Sequence, residues 1–155
     1  MLLPLLKAFA APSEGAEGRP DGSIRGARVL IVEDDPGTRE ALSEMLGLTG
    51  AVVRSADSAA TAMKAFEEFR PELLVCDVAM PDEDGYGLLG RIRALGPERG
   101  GDVPALALTA LAGDDDRRRA AEAGFQEHLA KPVDIDRLVA ALAKLRGAPA
   151  LSLGP

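Results

Sequence analysis

Five short apolar segments alternate along the chain with five longer segments in which apolar residues recur every three or four positions. The apolar segments are residues 28–32, 51–54, 72–76, 103–108 and 126–130. The first of them, with the sequence RVLIV, is a largely β-branched run that is typical of a strand buried on both faces. The longer segments have the period of amphipathic helices. The pattern therefore predicts five repeats of a strand followed by a helix.

Short polar residues mark where the predicted helices begin. Asp35 precedes Pro36, and Ser58 precedes the second helical segment, so both are expected to cap helix N termini. Asp114 or a neighbour takes the same place before the fourth helix. The strict alternation predicts an α/β fold with a parallel sheet, right-handed crossovers and helices on both faces.

The two ends of the chain lack this alternating pattern of strands and helices. Residues 1–27 hold seven prolines and glycines, which predicts a flexible leader or linker. Residues 28–147 form the predicted folded domain, and residues 148–155 a short tail. The apolar start is broken by Pro4 and followed by Lys7, unlike a signal peptide, and no segment approaches the ~18 apolar residues of a membrane span. We therefore expect a cytoplasmic chain without a membrane segment.

Composition narrows the class of protein. The 155 residues carry 18 Lys and Arg against 25 Asp and Glu, a formal charge of −7, all of which falls on residues 28–155. This balance argues against nucleic-acid binding, which needs clustered basic residues. The single cysteine, Cys76, excludes a disulfide framework and a cysteine-based zinc site, and it suits a reducing compartment.

Polar residues end several of the otherwise apolar strands. Glu33 and Asp34 follow the first strand, Asp77 the third, Thr109 the fourth and Lys131 the fifth. The carboxyl ends of parallel strands meet at one edge, where ligands bind in such folds. Converging carboxylates repel each other, and their oxygens without Cys or His favour Mg²⁺ or Mn²⁺. Taken singly, each residue has an ordinary role, such as a helix cap, a turn or a solvated charge; the combination favours a site.

The sequence closely resembles the receiver domain of two-component response regulators over about residues 27–146. The resemblance rests on four motifs, which are residues 29–36 (VLIVEDDP) with Arg39, residues 74–81 (LVCDVAMP) with Asp84-Gly85, residues 107–110 (ALTA), and Lys131-Pro132. It implies the flavodoxin-like, doubly wound, five-stranded parallel sheet with strand order 2-1-3-4-5. Among receivers, the sequence most resembles those of hybrid sensor histidine kinases.

The resemblance implies a phosphoryl-transfer site. Asp77 would accept a phosphoryl group from a phosphohistidine, giving an acyl phosphate. Glu33 and Asp34, with Asp77 and the backbone carbonyl of Ala79, would hold Mg²⁺ (or Mn²⁺). Such a domain is a phosphoacceptor that assists its own phosphorylation and dephosphorylation, and not an enzyme.

The same resemblance assigns catalytic and switching roles. Lys131 would pair with the phosphoryl oxygens, and Thr109 would hydrogen-bond one of them and move toward it. Pro132 matches the family's cis-peptide position. His128, the only histidine, stands where the family has an inward-turning aromatic residue; a neutral imidazole is needed there, so low pH would oppose the active state.

Two apolar residues flank the expected path of a hydrolytic water. Ala79 lies two positions after Asp77, and Leu111 lies two after Thr109. Neither side chain positions or polarises water. We therefore expect slow self-dephosphorylation.

The implied partners are a sensor histidine kinase or a histidine phosphotransfer protein, and a downstream protein bound through the face of helix 4, strand 5 and helix 5. Neither nucleic acid nor a DNA-binding output domain is expected. A nucleotide-binding enzyme would need a glycine-rich loop after the first strand, and a haloacid-dehalogenase-like phosphatase would need an acid at Ala79. A stand-alone regulator, a receiver module of a hybrid kinase and a phosphorylation-independent pseudo-receiver stay open.

Overall fold

The computed structural model describes residues 23–80, 83–110 and 113–147, and within them strands and helices alternate along the chain. The strands are β1 (Arg28–Val32), β2 (Val52–Ala56), β3 (Leu73–Asp77), β4 (Ala105–Thr109) and β5 (Glu127–Ala130). The helices are α1 (Pro36–Leu48), α2 (Ala59–Phe69), α3 (Gly85–Ala94), α4 (Asp114–Ala123) and α5 (Ile135–Gly147), with a short 3-10 helix at Pro97–Arg99.

All five strands pair in parallel in one sheet with the order β2-β1-β3-β4-β5. From β1 the chain connects to β2 on one side of the sheet, and from β3 it connects to β4 on the other side. The direction of the connections therefore reverses between β1 and β3. In doubly wound sheets such a reversal opens a crevice beyond the carboxyl ends of the strands. The predicted fold class and strand order are confirmed.

Each face of the sheet carries its own apolar core. Alternate residues of the strands pack against α2, α3 and α4 on one face, with Phe66 and Ile92 among the fully buried side chains. The other residues pack against α1 and α5, where Leu46 and Leu138 are buried. Because both faces are covered, β3 and β4 are buried along their whole length, as their continuous apolar sequences predict.

Strand and helix ends differ from the sequence predictions by one or two residues. β3 includes Asp77, and β4 includes Thr109, because the backbone ladder continues through these polar residues. Asp35 and Ser58 cap α1 and α2 as predicted. The N-cap of α4 is Gly113, which makes no side-chain bond.

The packed domain begins earlier than residue 28. Ile24 and Ala27 lie in the range predicted as a linker, yet their side chains are buried in the core beside α1 and α5. Gly26 N donates to Gly50 O, and Val52 N donates to Ala27 O, so this segment is held by backbone bonds ahead of β1. The many prolines and glycines of this segment indicated a linker, so the burial of Ile24 and Ala27 was not predicted. Among the described helices, none has the length and apolar character needed to cross a membrane.

Candidate phosphoacceptor site

Four strand ends bring the predicted site residues to one edge of the sheet. Asp77 is the last residue of β3 and stands opposite Leu108 of β4, while Thr109 stands opposite Ala130 of β5. Glu33 and Asp34 directly follow β1, and Lys131 directly follows β5. The parallel topology therefore places these groups together, as the sequence predicted.

Asp77 is held in a fixed orientation at the bottom of this crevice. The residue is 2% exposed. Its Oδ1 accepts a hydrogen bond of 3.0 Å from the backbone N–H of Ala79, and its Oδ2 accepts one of 3.1 Å from Lys131 Nζ. Each carboxylate oxygen thus has a hydrogen-bond donor, which aims the group at the open end of the crevice.

Lys131 bridges the two buried carboxylates. Its Nζ lies 3.1 Å from Asp77 Oδ2 and 3.0 Å from Glu33 Oε1. Burial acts to lower the pKa of the Lys131 ammonium, but the contacts with Glu33 and Asp77 outweigh burial and raise that pKa. Lys131 is therefore a permanent positive charge between two acids.

Glu33 is held through both of its carboxylate oxygens. Its Oε2 accepts a bond of 3.1 Å from the N–H of Asp35. Its Oε1 is buried and pairs with the Lys131 ammonium at 3.0 Å. Burial raises the pKa of Glu33, against the lowering effect of Lys131. Glu33 therefore shares the single positive charge of Lys131 with Asp77, so the two buried carboxylates together keep an excess of negative charge.

Asp34 is the third acid of the crevice, and among the described residues its carboxylate has no partner. No residue in the described ranges gives its carboxylate a hydrogen bond or an ion pair. One oxygen each from Glu33, Asp34 and Asp77 lie within 4.8 Å of one another. These hard oxygen donors fit Mg²⁺ or Mn²⁺, which prefer carboxylates and water.

Thr109 has a polar side-chain atom without a partner in the described part of the chain. The residue is 3% exposed, and its Oγ1 is buried without a hydrogen-bond partner among the described residues. Its backbone carbonyl accepts a bond of 2.7 Å from Lys131 N, which joins the ends of β4 and β5. The hydroxyl is therefore available to a ligand that enters the crevice.

The remaining predicted residues are placed less closely. The Lys131–Pro132 peptide is cis. His128 is half-buried on β5, opposite Ala107, and makes no hydrogen bond or ion pair with a described residue. Its switching role stays a prediction, as does the metal-binding role of the Ala79 carbonyl. Leu111 lies outside the described residues.

Residues 29–143 match the family model described as the response regulator receiver domain. The chain belongs to this family of two-component systems. The receiver domain described above is 48% identical, over 106 residues, to an uncharacterized 14.6 kDa protein of Leptolyngbya boryana, a match that covers 68% of this chain and 79% of the relative.

Solved structures of receivers have the same fold. A putative response regulator from Chloroflexus aurantiacus superposes with a TM-score of 0.74 at 33% identity, covering 80% of this chain and all of the other. The receiver domain of the sensor histidine kinase PA1611 from Pseudomonas aeruginosa matches with a TM-score of 0.71 at 33% identity, covering 79% of this chain and 99% of the other. That structure has a magnesium ion coordinated in its active-site cleft.

This receiver domain also matches parts of longer regulators. The transcriptional regulatory protein PrrA of Mycobacterium leprae is 37% identical over 135 residues, which are 85% of this chain and 56% of the relative. The chain thus spans about half the length of this curated relative.

Two arginines near these elements have roles that the sequence did not reveal. Arg39 was noted only as part of a motif, and its guanidinium donates to the backbone carbonyl of Glu33. Arg93 of α3 donates to three backbone carbonyls of two loops. Neither contact has a sequence signal, because the acceptors are backbone atoms.

Proposed function

We propose that this receiver domain accepts a phosphoryl group on Asp77 from the phosphohistidine of a kinase or phosphotransfer protein, in a reaction that depends on Mg²⁺. The observation that carries the proposal is a single buried aspartate whose carboxylate is fixed by Ala79 and Lys131. In this proposal the domain is the substrate of the kinase and assists the transfer, without turning over a substrate of its own.

The transfer is a substitution at phosphorus. A carboxylate oxygen of Asp77 forms a bond to phosphorus as the phosphorus–nitrogen bond of the phosphohistidine breaks. The electron pair of the broken bond stays on the imidazole nitrogen of the donor, which takes up a proton. The product is an aspartyl phosphate on this chain and a free histidine on the donor.

Charge is the main obstacle to this reaction, because an anionic carboxylate must approach an anionic phosphoryl group. A bound Mg²⁺ supplies charge neutralisation and orientation. Glu33, Asp34 and Asp77 are the residues that would hold it. Lys131 already contacts Asp77, so its ammonium is within reach of the transferred oxygens without rearrangement of the strand.

Thr109 supports a response to phosphorylation. A hydroxyl that is buried and unpartnered gains a hydrogen bond when a phosphoryl oxygen arrives beside Asp77. This gain favours a conformation in which Thr109 has moved toward the phosphoryl group. His128, which lies opposite Ala107 on the neighbouring strand β5, would then turn inward.

The surface of α4, β5 and α5 is the proposed place for a downstream protein. Ala120 is the only fully buried residue of α4, and the others except Asp116 and Ala123 are exposed, so most of this helix can contact a partner. Lys144 of α5 pairs with Glu127 of β5 at 3.1 Å, so an ion pair joins these two elements on the proposed surface.

The proposal is tested by incubating the protein with a small acyl-phosphate donor, with and without Mg²⁺, and measuring label. We expect label that depends on Mg²⁺, is labile in alkali and is absent from Asp77→Ala. Asp102→Ala, at an exposed position away from the crevice, is the matched control and should be labelled normally. Label that survives Asp77→Ala would overturn the assignment.

A further inference from the structure

Arg39 lies in the first turn of α1 and reaches back to the turn that carries two of the acids. Its Nη1 is 3.0 Å from the backbone oxygen of Glu33 and 3.5 Å from that of Asp34. We infer that Arg39 is a positioning residue that fixes this turn so that the carboxylate of Asp34 is held for a divalent cation. The inference rests on the proposed function, since it concerns the same cation.

Hydrogen bonds hold the residues on both sides of Asp34 in the turn between β1 and α1, but none from a described residue holds the Asp34 side chain. Glu33 N donates to Ala56 O at 3.0 Å, and Asp35 N donates to Glu33 Oε2 at 3.1 Å. The carboxylate of Asp34 has no partner in the described part of the chain. The backbone of the turn therefore determines where the Asp34 carboxylate can reach, and Arg39 holds that backbone.

Helix stability does not explain an arginine at this position. The N terminus of a helix has a partial positive charge, so a cationic side chain in the first turn is unfavourable. Asp35 already caps α1 by accepting bonds of 2.8 Å from Thr38 N and Thr38 Oγ1, and these bonds lower the pKa of Asp35. The contacts with the carbonyls of Glu33 and Asp34, together with the nearby Asp35 carboxylate, compensate for the unfavourable charge.

Positioning and simple electrostatics predict opposite effects on cation binding. Arg39 is a positive charge near the three acids, so its removal should strengthen Mg²⁺ binding if charge alone matters. If Arg39 positions Asp34, its removal should weaken binding, as loss of residues that orient metal ligands does. The sign of the change separates the two explanations.

The experiment is a calorimetric titration of the full chain with MgCl₂, for the wild type, Arg39→Met and Arg39→Lys. Methionine keeps the apolar stem but removes the charge and the donors, and we expect the dissociation constant to rise roughly 10-fold. Lysine keeps the charge but cannot reproduce the planar fork, so its constant should lie between those of wild type and Arg39→Met. Should Arg39→Met fail to fold, Arg39→Lys carries the comparison.

The matched control is Arg146→Met at the opposite edge of the sheet. Arg146 Nη1 also contacts two backbone oxygens, at 2.8 Å from Arg25 O and 3.4 Å from Ser23 O. Urea unfolding is measured for all variants, and Arg146→Met should lose stability like Arg39→Met yet bind Mg²⁺ like the wild type.

Two results would overturn the inference. One is a wild-type or smaller dissociation constant in either Arg39 variant, and the other is an equal loss of binding in Arg146→Met. Failure of the proposed function is distinguishable, because it would appear as a wild type that the acyl-phosphate donor does not label, whereas the inference fails on the dissociation constants of the variants.

Discussion

Replacing Arg93 by methionine tests how the strand ends that carry the site are held. Arg93 lies near the end of α3, and its guanidinium joins two loops that lead into β4 and β5. Nη1 donates to Gly101 O at 2.8 Å and Val103 O at 2.6 Å, and Nη2 donates to Gly124 O at 2.6 Å. Burial lowers the pKa of Arg93, a cost that Asp102 offsets only in part.

The magnitude follows from the number of bonds and the cost of burying the charge. A hydrogen bond to a charged group contributes about 1.5–3 kcal/mol, and a buried acceptor left unsatisfied costs about 1–3 kcal/mol. Because the bonds share one guanidinium, they are not additive, and the buried charge is itself unfavourable. We expect Arg93→Met to lower the free energy of unfolding by about 3 kcal/mol, roughly 10 °C in the melting temperature.

Urea unfolding followed by circular dichroism measures this loss. Arg91→Met, on the same helix, is the matched control, because Arg91 makes only an exposed ion pair with Glu83. Such pairs contribute about 0–1 kcal/mol. A loss below about 1 kcal/mol in Arg93→Met, or the same loss in both variants, would refute the role of Arg93 as the brace between the two loops.

Three further predictions concern the crevice itself. Gly85→Ala should lower the free energy of unfolding by about 2 kcal/mol and slow phosphorylation, because its new Cβ would lie 2.6 Å from Asp77 O. Gly90→Ala in the same helix is the control, since its Cβ would meet nothing within 4 Å and should stabilise the protein. Urea unfolding compares the two variants, and equal effects would contradict the steric reasoning. Mg²⁺ at ten times its dissociation constant should raise the free energy of unfolding by about 1.4 kcal/mol, and Asp34→Asn should abolish the gain in thermal melts; a gain that persists would exclude Asp34 as a ligand. Ala79→Asn should shorten the lifetime of the phosphorylated protein, measured by the decay of label, because an amide can position water; an unchanged lifetime would rule out the expected slow self-dephosphorylation.

The parallel sheet and the cluster of acids were predictable from short-range sequence patterns, whereas the strand order followed only from the resemblance to the receiver family. A run such as that of β1 indicates a doubly buried strand, and polar residues at strand ends meet wherever the strands are parallel. Asp77, Glu33 and Lys131 could therefore be brought together without coordinates. The strand ends were less predictable, because Asp77 and Thr109 continue the ladder despite their polarity.

The supporting contacts were not predictable, because their acceptors are backbone carbonyls. Nothing in the sequence distinguishes Arg93 from Arg91 two residues earlier, yet one braces two loops and the other pairs on the surface. The burial of Ile24 was not predicted, because its neighbours in the sequence are polar residues and glycine, which are typical of linkers. Its burial depends on contacts with α1 and α5, which are distant in sequence.

The central claim is that Asp77 is the residue that carries the phosphoryl group. Borohydride reduces an aspartyl phosphate to homoserine, so reduction after phosphorylation in Mg²⁺, followed by peptide mass spectrometry, identifies the modified residue directly. We predict homoserine at position 77 and at no other position, and none without Mg²⁺. Homoserine at another acid of the crevice, such as Asp34, or a phosphate ester on Thr109 with Asp77 unchanged, would contradict the account.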